Sequence, residues 1–406
     1  MNGLQTRIHD AVMGRLDFSR EVPDSEVLDL IDEELLGAAR EGTVTLEQMK
    51  SLRQDVFYSI RKLDVLQDMI DDAGITEIMV NGPDRIFIER NGQAMPAGVH
   101  FSSEKKLLDV IQVIVSKCDR EVNASSPIVD ARLENGDRVS VVLQPVALNG
   151  PILTIRRFPS KPITMEDLIS FGSVSREAAE FLRTLVRAGY NIFISGGTGC
   201  GKTTFLNALS DYIPTSERVI TIEDNAELQI RHIPNLVRLE ARNANTAGCQ
   251  QVTIRDLIKA SLRMRPDRII VGEVRGGEAI DMIQAMNTGH DGSMSTGHAN
   301  STTDMLARLE TMTLMGIDLP IPAIRGQLAS GIDVIVHLGR MRDRSRKLLE
   351  IAETGPVTPS GVSLRTLYRF QETGEKDGKI TGEWIRVNEL EKIGKLRMAG
   401  QVKKAG

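Results

Sequence analysis

Residues 196–203 read Gly-Gly-Thr-Gly-Cys-Gly-Lys-Thr and match the phosphate-loop pattern G-x-x-x-x-G-K-[ST] at each fixed position. The apolar run 190–195 before this stretch is typical of a β-strand, and the apolar residues of 205–209 behind it are spaced as in a helix. Loop amides and a helix N-terminus both attract anions. A strand, a glycine-rich loop and a helix in this order therefore predict a site for the phosphates of a nucleotide.

The residue types within the loop fit this chemistry. Lys202 would neutralise the β- and γ-phosphates of ATP, and the Thr203 hydroxyl would bind Mg²⁺. Cys200 is interpreted as a small tolerated residue rather than a redox-sensitive one. The residues predicted to contact the nucleotide here are Gly196, Gly197, Thr198, Gly199, Cys200, Gly201, Lys202, Thr203 and Thr204.

Length and composition narrow the class of protein. A chain of 406 residues predicts two or three domains. A net charge of −5 and an aromatic content of 4% argue against a protein dominated by nucleic-acid contacts. The sequence lacks a membrane-spanning or signal-peptide pattern, so a cytoplasmic protein is expected. Its three cysteines are too widely spaced for a disulfide framework or a zinc-binding pair, so no zinc is expected.

The first two predicted parts of the chain precede the loop. Residues 1–72 are helical in pattern and carry 16 Asp and Glu against 8 Lys and Arg, with helix caps expected at Asp24-Ser25 and Thr45. This part is either a solvated bundle or a docking module for a basic or membrane-bound partner. Residues 73–158 predict a β-hairpin, a helix capped by Ser102 and further strands, which together form a small α+β, PAS-like domain.

The third predicted part, residues 159–406, begins at the stiff break Pro159-Ser-Lys-Pro162. Strands and helices alternate through most of it, which favours a doubly wound parallel sheet of the α/β class. Residues 363–391 are expected to be rich in strands, and the last dozen residues are expected to be frayed. We therefore predict a RecA-like P-loop ATPase domain after the small α+β domain and the N-terminal helical segment.

Glu273 is the predicted catalytic base. It follows the apolar strand 268–271 almost at once, and the carboxyl ends of parallel strands meet where ligands bind. Hydrolysis needs a carboxylate that positions water beside the terminal phosphate. Gly272 occupies the place before Glu273 where a second acid is common, so the Mg²⁺ environment would depend more on other carboxylates.

A second acidic set follows the predicted strand 218–222. Glu223, Asp224 and Glu227 lie at its carboxyl end. Oxygen ligands suit Mg²⁺, so Glu223 and Asp224 are predicted to bind the ion together with Thr203.

His290 and His298 lie eight residues apart in a stretch of small polar residues, 288–301. A zinc site would need a third His or Cys nearby, which the sequence does not supply. A structural histidine is the usual alternative. Because the stretch follows the Glu273 strand in a nucleotide-binding part of the chain, both histidines are predicted to sense the γ-phosphate.

Six arginines are candidates to stabilise charge on the transferred phosphate. A cation from a neighbouring domain or subunit contributes about 10³ to 10⁵ in rate. The alternative is a set of surface ion pairs worth little. We expect at least two of the six to face the nucleotide: Arg132, Arg138, Arg156, Arg157, Arg263 and Arg265. A separate basic cluster at 340–347 is either a solvated hairpin turn or a contact to adenine or to another subunit.

Four of these motifs occur in an order that resembles the ATPases of type II and type IV secretion systems. In that family they are the Walker A motif, the Asp box, an atypical Walker B motif and the His box, here at 196–203, 221–228, 263–279 and 288–301. Stretches of the small domain look like the tight-adherence (Flp) pilus ATPases of the TadA/CpaF group, at 75–84, 126–133 and 153–158.

The resemblance implies a ring-shaped homohexamer whose ATP sites lie between the small domain and the RecA-like domain. It implies a cytoplasmic place at the inner face of the cell membrane, with inner-membrane platform proteins of a pilus or secretion system as partners. ATP hydrolysis would power pilus assembly or retraction, or protein secretion. In this pattern Glu273 matches the Walker B base, Glu227 the Asp-box carboxylate, and His290 and His298 the His-box pair. Gly297 departs from the larger apolar residue common in the family.

Two other functions stay open at this point. One is a DNA-translocating RecA-like ATPase, against which the acidic charge and the few aromatic residues argue. The other is a nucleotide-gated scaffold that binds ATP without hydrolysing it. An intact Glu273 argues against the scaffold.

Overall fold

The computed structural model describes residues 3–17, 20, 22–41, 44–90, 92–118, 120–133, 135–157, 162–242 and 250–401. The chain forms two compact units, residues 1–160 and 161–406. The predicted break begins at Pro159, outside the described residues, so the division into three parts stays a prediction. Cys249 also lies outside them.

The first unit begins with three helices, α1 (Gly3–Arg15), α2 (Asp24–Arg40) and α3 (Leu46–Arg61). They share an apolar core formed by residues such as Val12, Ile31 and Val56. The capping box at Thr45 is confirmed: the Thr45 hydroxyl accepts a hydrogen bond from the Gln48 main-chain amide, and the Gln48 side-chain oxygen accepts one from the Thr45 amide. The predicted cap at Asp24-Ser25 is wrong: Asp24 is already helical, and its carboxylate acts in the first turn, where the helix dipole favours it.

An antiparallel sheet of six strands follows, in the spatial order β3-β2-β1-β6-β5-β4. Short α4 (Gln67–Asp71) precedes it, and α5 (Glu104–Ser116) packs on it with Leu107, Ile111 and Ile114. Ser103, not Ser102, caps α5 and accepts the Lys106 amide. The strands are β1 (Ile75–Asn81), β2 (Ile86–Arg90), β3 (Gln93–Pro96), β4 (Ile128–Arg132), β5 (Arg138–Val142) and β6 (Ile152–Arg156).

The second unit is built on a nine-stranded sheet in the order β15-β14-β13-β12-β7-β11-β10-β8-β9. Pairing from β12 across to β9 is parallel, as the sequence predicts. These strands are β7 (Ile192–Gly196), β8 (Val219–Glu223), β9 (Leu236–Glu240), β10 (Arg268–Val271), β11 (Met294–Gly297) and β12 (Val334–Arg340).

Helices cover both faces of this sheet, so alternate strand residues enter two separate cores. On β7, Ile192 and Ile194 face one core and Phe193 faces the other. Helices α6 (Met165–Ser170), α7 (Arg176–Arg187) and α8 (Lys202–Ser210) supply the first core. The second core is supplied by α9 (Ile254–Ser261), α10 (Ala279–Asn287), α11 (Thr302–Gly316) and α12 (Ile321–Gly331).

The sheet continues as an antiparallel extension of β13 (Arg346–Thr358), β14 (Gly361–Lys376) and β15 (Lys379–Arg386). The chain then returns to the sheet through α13 (Gly394–Met398). Lys395 Nζ lies 2.7 Å from Asp333 Oδ2 and 2.6 Å from Asp291 Oδ1, so the expected fraying is wrong for this segment. Among the described residues, none of the helices has the length and apolar character needed to cross a membrane.

Candidate functional site

The phosphate loop joins β7 to α8 at the carboxyl edge of the parallel strands. At Gly196 the chain passes so close to β12 that a Cβ atom would collide with the Leu338 carbonyl oxygen and lie 2.5 Å from Cys200 Sγ. Gly201 has a φ of 93° directly before α8, a conformation that strains residues with a Cβ. Backbone geometry thus requires glycine at both positions.

Cys200 fills the space beside Gly196 and is 3% exposed. Burial raises the pKa of its thiol, although the nearby Lys202 charge works in the opposite direction. A protonated thiol is a poor nucleophile. This placement supports the interpretation of Cys200 as a small residue that packs within the loop.

Lys202 is 7% exposed and its ammonium group lies inside the mouth of the loop. Nζ donates to the carbonyl oxygens of Gly196 and Gly197, at 3.1 and 3.2 Å. His298 Nδ1 lies 3.2 Å from the same Nζ atom. Burial lowers the Lys202 pKa, while the charge of Glu273 works against that effect. The lysine therefore connects the loop directly to the His298 segment.

Glu273 lies just after β10 between two basic side chains. His298 Nε2 lies 2.9 Å from Glu273 Oε1, and Arg275 Nη2 donates to Oε2 at 3.0 Å. Burial acts to raise the Glu273 pKa, but Arg275, His298 and Lys202 together hold it below its usual value. Burial and the Lys202 charge also lower the His298 pKa, so an ionised carboxylate faces a neutral imidazole near neutral pH. The sequence analysis did not single out Arg275, although it follows Glu273 by only two residues.

Glu223 is buried at 3% exposure beneath the turn that follows β8. Its Oε1 atom accepts the amides of Glu227 and Leu228 at 2.8 and 3.0 Å, and Oε2 has no hydrogen-bond partner within the described residues. Burial raises the pKa of this carboxyl to about 7. A Cβ atom at Gly272 would lie 2.9 Å from Glu223 Cγ. Glycine before Glu273 is therefore a steric requirement of the buried Glu223 side chain.

The rest of the acidic set lies beside Arg275. Asp224 is exposed, and its Oδ2 atom is 4.0 Å from Arg275 Nη1. Glu227 is half-buried, and its charge also acts on Arg275. The predicted Mg²⁺ ligand Thr203 lies in the first turn of α8. The second unit thus supplies oxygen groups close to the loop, and their role as ligands stays a prediction.

A cleft of about 540 Å³ opens next to the loop. Gly197 and Thr198 form one wall, and His298 lies at its end. The opposite wall is the segment after His298 and the first turns of α11, where Asp304 and Arg308 are four residues apart on one helix face. Neither residue is among those predicted from the sequence, although their spacing on the helix after His298 was a usable signal.

Three predicted site residues of the second unit lie at the edge of the sheet opposite the phosphate loop. His290 precedes β11, whereas His298 follows it, so the two histidines lie at opposite edges of the sheet. The His290 ring instead lies 3.2 Å from the Ala285 carbonyl oxygen at the end of α10. Arg263 and Arg265 precede β10, on the edge away from Glu273. This placement does not support γ-phosphate sensing by His290 or phosphate contacts by the two arginines in the same chain.

The basic cluster at the β12–β13 turn divides between two roles. Arg346 Nε donates to the Gly199 carbonyl oxygen at 2.9 Å, so this arginine holds the outer side of the phosphate loop. Lys347 is buried and donates to the Gly172 carbonyl oxygen at 2.6 Å. Arg342 pairs with Glu372 at 2.6 Å. Hydrogen bonds and ion pairs within the fold therefore account for Lys347 and Arg342.

In the first unit, three of the candidate arginines form a row across neighbouring strands. Arg132 on β4 faces Arg138 on β5, which in turn faces Arg156 on β6. Like charges directly opposite one another destabilise a sheet. The row also has partners within the sheet, because Glu77 on β1 faces Arg156 and Arg132 Nε donates to the Gly136 carbonyl oxygen at 3.2 Å. Arg157 differs, because it bonds the main chain at Asp72 and lies 3.7 Å from buried Asp137.

The family model described as "Type II/IV secretion system protein" matches residues 60–376. Among similar proteins are the conjugal transfer protein TrbB of Rhizobium radiobacter and the type IV secretion system protein PtlH of Bordetella pertussis. TrbB is 35% identical over 72% of this chain and 89% of its own length. PtlH is 34% identical over 68% of this chain and 89% of its own length. The structure of the pilus retraction motor PilT with bound ADP aligns with a TM-score of 0.52 and 19% identity, over 84% of this chain and 87% of PilT, which shows a shared fold.

Proposed function

Because the chain belongs to the family of type II/IV secretion system proteins, a family of secretion ATPases, we propose that it is a hexameric ATP-hydrolysing motor of a pilus or secretion system. The proposed place of action is the cytoplasmic face of the inner membrane, on the platform proteins of that system. Within the family, the stretches of the small domain quoted from the sequence favour the tight-adherence pilus branch. The motor would drive pilus assembly, retraction or both.

The observation that supports hydrolysis is the connected set Lys202, His298, Glu273 and Arg275 beside the phosphate loop. In this proposal Lys202 neutralises the terminal phosphates and the Glu273 carboxylate orients the attacking water. His298 lies between them and changes its contacts when the γ-phosphate is present or lost. Arg275 keeps Glu273 ionised, so the carboxylate is ready to accept a hydrogen bond from water.

Mg²⁺ is the proposed metal cofactor that binds together with ATP. A threonine hydroxyl and several carboxylates, oxygen groups that suit a hard cation, lie at the same edge of the sheet, while the described residues contain no group of three His, Cys, Asp or Glu side chains placed to hold a metal by themselves. Thr203 and Asp224 would hold the ion, with Glu223 as the third predicted ligand. When bound, Mg²⁺ would neutralise charge on the phosphates.

The arginine row of the first unit is the proposed source of the remaining positive charge. Arg132, Arg138 and Arg156 bring three guanidinium groups together on one side of a sheet, which concentrates positive charge that could act on a phosphate. In this proposal the three arginines act on the ATP site of their own chain or of a neighbouring subunit in the ring. The expected contribution to the rate is about 10³-fold or more.

Phosphate release in the steady state tests the hydrolysis. Lys202→Ala and Glu273→Gln should each abolish turnover, and Glu273→Gln should still bind ATP because its loop is intact. Glu375→Gln, which removes an exposed carboxylate on β14, is the matched control and should keep full turnover. Full activity of the Glu273→Gln protein would refute its role as the base.

The arginines require a comparison of turnover with binding. Arg132→Ala and Arg138→Ala should reduce turnover far more than the affinity for a fluorescent ATP analogue, since the charge develops in the transition state. Arg90→Ala, which breaks the ion pair with Asp72 elsewhere in the same sheet, should leave turnover unchanged. Loss of binding with normal turnover would reject the proposed role.

The similar proteins favour a second candidate within the same class. TrbB and PtlH are named for conjugal transfer and type IV secretion, so a secretion motor is the alternative to a pilus motor. Capture of the protein from native membranes with its bound partners separates the two, because a pilus motor should bring down a pilus platform protein. DNA-stimulated turnover would instead revive the DNA-translocating function.

A further inference from the structure

A buried polar cluster lies directly behind the phosphate loop and takes no part in the proposed chemistry. Ser195 Oγ and His337 Nδ1 are 2.8 Å apart, joining β7 to β12. Glu350 lies opposite His337 on β13. Its two oxygens accept the hydroxyl groups of Thr302, at 2.8 Å, and Thr366, at 2.6 Å. Five elements of the second unit, β7, β12, β13, β14 and α11, therefore meet through one set of polar side chains.

A serine, a histidine and a carboxylate together are also the ingredients of a nucleophilic catalyst. Burial excludes that role here, because Ser195 is 0% exposed and His337 is 7% exposed. A hydroxyl that no substrate can reach cannot attack one. The cluster must act through the residues that it holds.

Those residues lie directly next to the two walls of the cleft. Ser195 directly precedes Gly196 and the loop wall. Thr302 is the first residue of α11, the helix that forms the other wall. Burial lowers the pKa of the His337 ring, and the main chain of Asn300, two residues after His298, is among the groups that work against that effect. Each buried hydrogen bond in this set would be costly to leave unmade.

We propose that His337 and Glu350 are a positioning pair that fixes the segment 298–302 against the phosphate loop, so that His298 stays between Lys202 and Glu273. His337 joins the loop strand to β12 next to the main chain of Asn300, and Glu350, opposite His337 on β13, joins β13 and β14 to α11. This inference rests on the proposed ATPase function. A small displacement of a catalytic group lowers the rate of reaction far more than it lowers binding.

Turnover and local hydrogen exchange test the pair in the full chain. His337→Leu removes both polar contacts, and kcat should fall about 10- to 100-fold with a much smaller change in KM. His337→Asn can place a polar atom where Nδ1 lies and should recover part of the loss. Amide exchange of residues 298–304, followed by mass spectrometry, should rise in His337→Leu without any need for turnover.

Thr354→Val is the matched control. Thr354 is also fully buried in β13, but its hydroxyl bonds the main chain at Ile332 and Asp333, at the other end of the sheet. It should lower thermal stability to a similar degree while kcat and exchange at 298–304 stay unchanged. The fold-losses of kcat caused by Glu350→Gln and by His337→Leu should not multiply in the double variant, because both substitutions break the same connection.

The outcomes separate this inference from the function on which it rests. Normal kcat and normal exchange at 298–304 in His337→Leu would overturn the positioning role. Equal loss of kcat in Thr354→Val would overturn it as well, since general destabilisation would then suffice. If the unaltered protein hydrolyses no ATP, the proposed function fails, and the exchange measurement still decides whether His337 holds the segment.

Discussion

Replacing Glu223 by Gln tests what the buried charge beneath the Asp-box turn costs the fold. Gln has the same length, and its Oε1 atom can still accept the amides of Glu227 and Leu228. It cannot ionise. Any difference in stability between the two proteins that changes with pH therefore reports the titration of Glu223.

The magnitude follows from the pKa of the folded protein. Burial raises the Glu223 pKa from its ordinary 4.5 to about 7, so between these values the native state keeps a proton that the unfolded chain releases. The free energy of unfolding should fall as the pH rises from 4.5 to 7 and then become independent of this group. At about 1.4 kcal/mol per pKa unit, the loss is about 3 kcal/mol. Glu223→Gln should thus match the parent near pH 4.5 and exceed it by up to ~3 kcal/mol at pH 8.

Urea unfolding at a series of pH values measures this difference. The chain has one tryptophan, Trp384, whose Nε1 atom donates to the Leu348 carbonyl oxygen at 2.7 Å within the second unit. Its fluorescence therefore follows the unfolding of the unit that contains Glu223. Glu375→Gln, on the exposed part of β14, is the control for removal of a surface carboxylate, which pairs with exposed Arg342 at 3.3 Å.

Two results would contradict a raised pKa of Glu223 in the folded protein. One is a stability difference between Glu223→Gln and the parent that stays constant from pH 4.5 to 8. The other is a Gln variant that is less stable at pH 8, which would mean that the ionised form is well accommodated. If Glu223 instead binds Mg²⁺ as predicted from the sequence, the Gln variant should need more Mg²⁺ for the same rate of turnover.

Three further perturbations address the loop and its neighbours. Arg275→Ala removes the charge that lowers the Glu273 pKa, so the acidic limb of the pH–turnover profile should move to higher pH; an unmoved limb would contradict this. Burial raises the pKa of the Cys200 thiol, so iodoacetamide should label this residue at neutral pH only after the protein is unfolded, as judged by mass spectrometry. Rapid labelling of Cys200 in the folded protein would contradict this expectation. Gly297→Val would place a Cβ atom 2.9 Å from Met305 Cε, so the free energy of unfolding should fall by about 1–3 kcal/mol in thermal unfolding. Met305→Ala should partly restore it, and purely additive losses in the double variant would contradict this contact.

The phosphate loop, the parallel strands and Glu273 were predictable because local patterns encode them. A strand, a glycine-rich loop and a helix leave an unmistakable order of residue types, and the strand before Glu273 is fully apolar. The predicted limits of the helices and strands differ from the observed ones mainly at the helix caps. Ser103 and Ser102 are chemically equal candidates, and only the backbone decides which hydroxyl reaches the Lys106 amide.

The placement of His290 could not be read from spacing in the chain. The strand between the two histidines, β11, consists of Met-Ser-Thr-Gly and lacks the apolar pattern of a buried strand. It is nevertheless central, with Thr296 donating to the Gly272 carbonyl oxygen at 2.8 Å. Four strand residues span about 13 Å, enough to separate His290 from His298. The contacts of Arg275 and Arg346 likewise depend on which turns the fold brings together.

The contact between Gly272 and Glu223 has a consequence for relatives with the same fold. The Glu223 side chain occupies the volume into which a side chain at position 272 would extend, and a Cβ atom at 272 would lie 2.9 Å from Glu223 Cγ. Relatives with a larger residue at the position of Gly272 should therefore carry a shorter one at the position of Glu223. The two positions, about fifty residues apart in sequence, are expected to vary together as a single steric unit. Exchanging both residues at once should be tolerated where enlarging Gly272 alone is not.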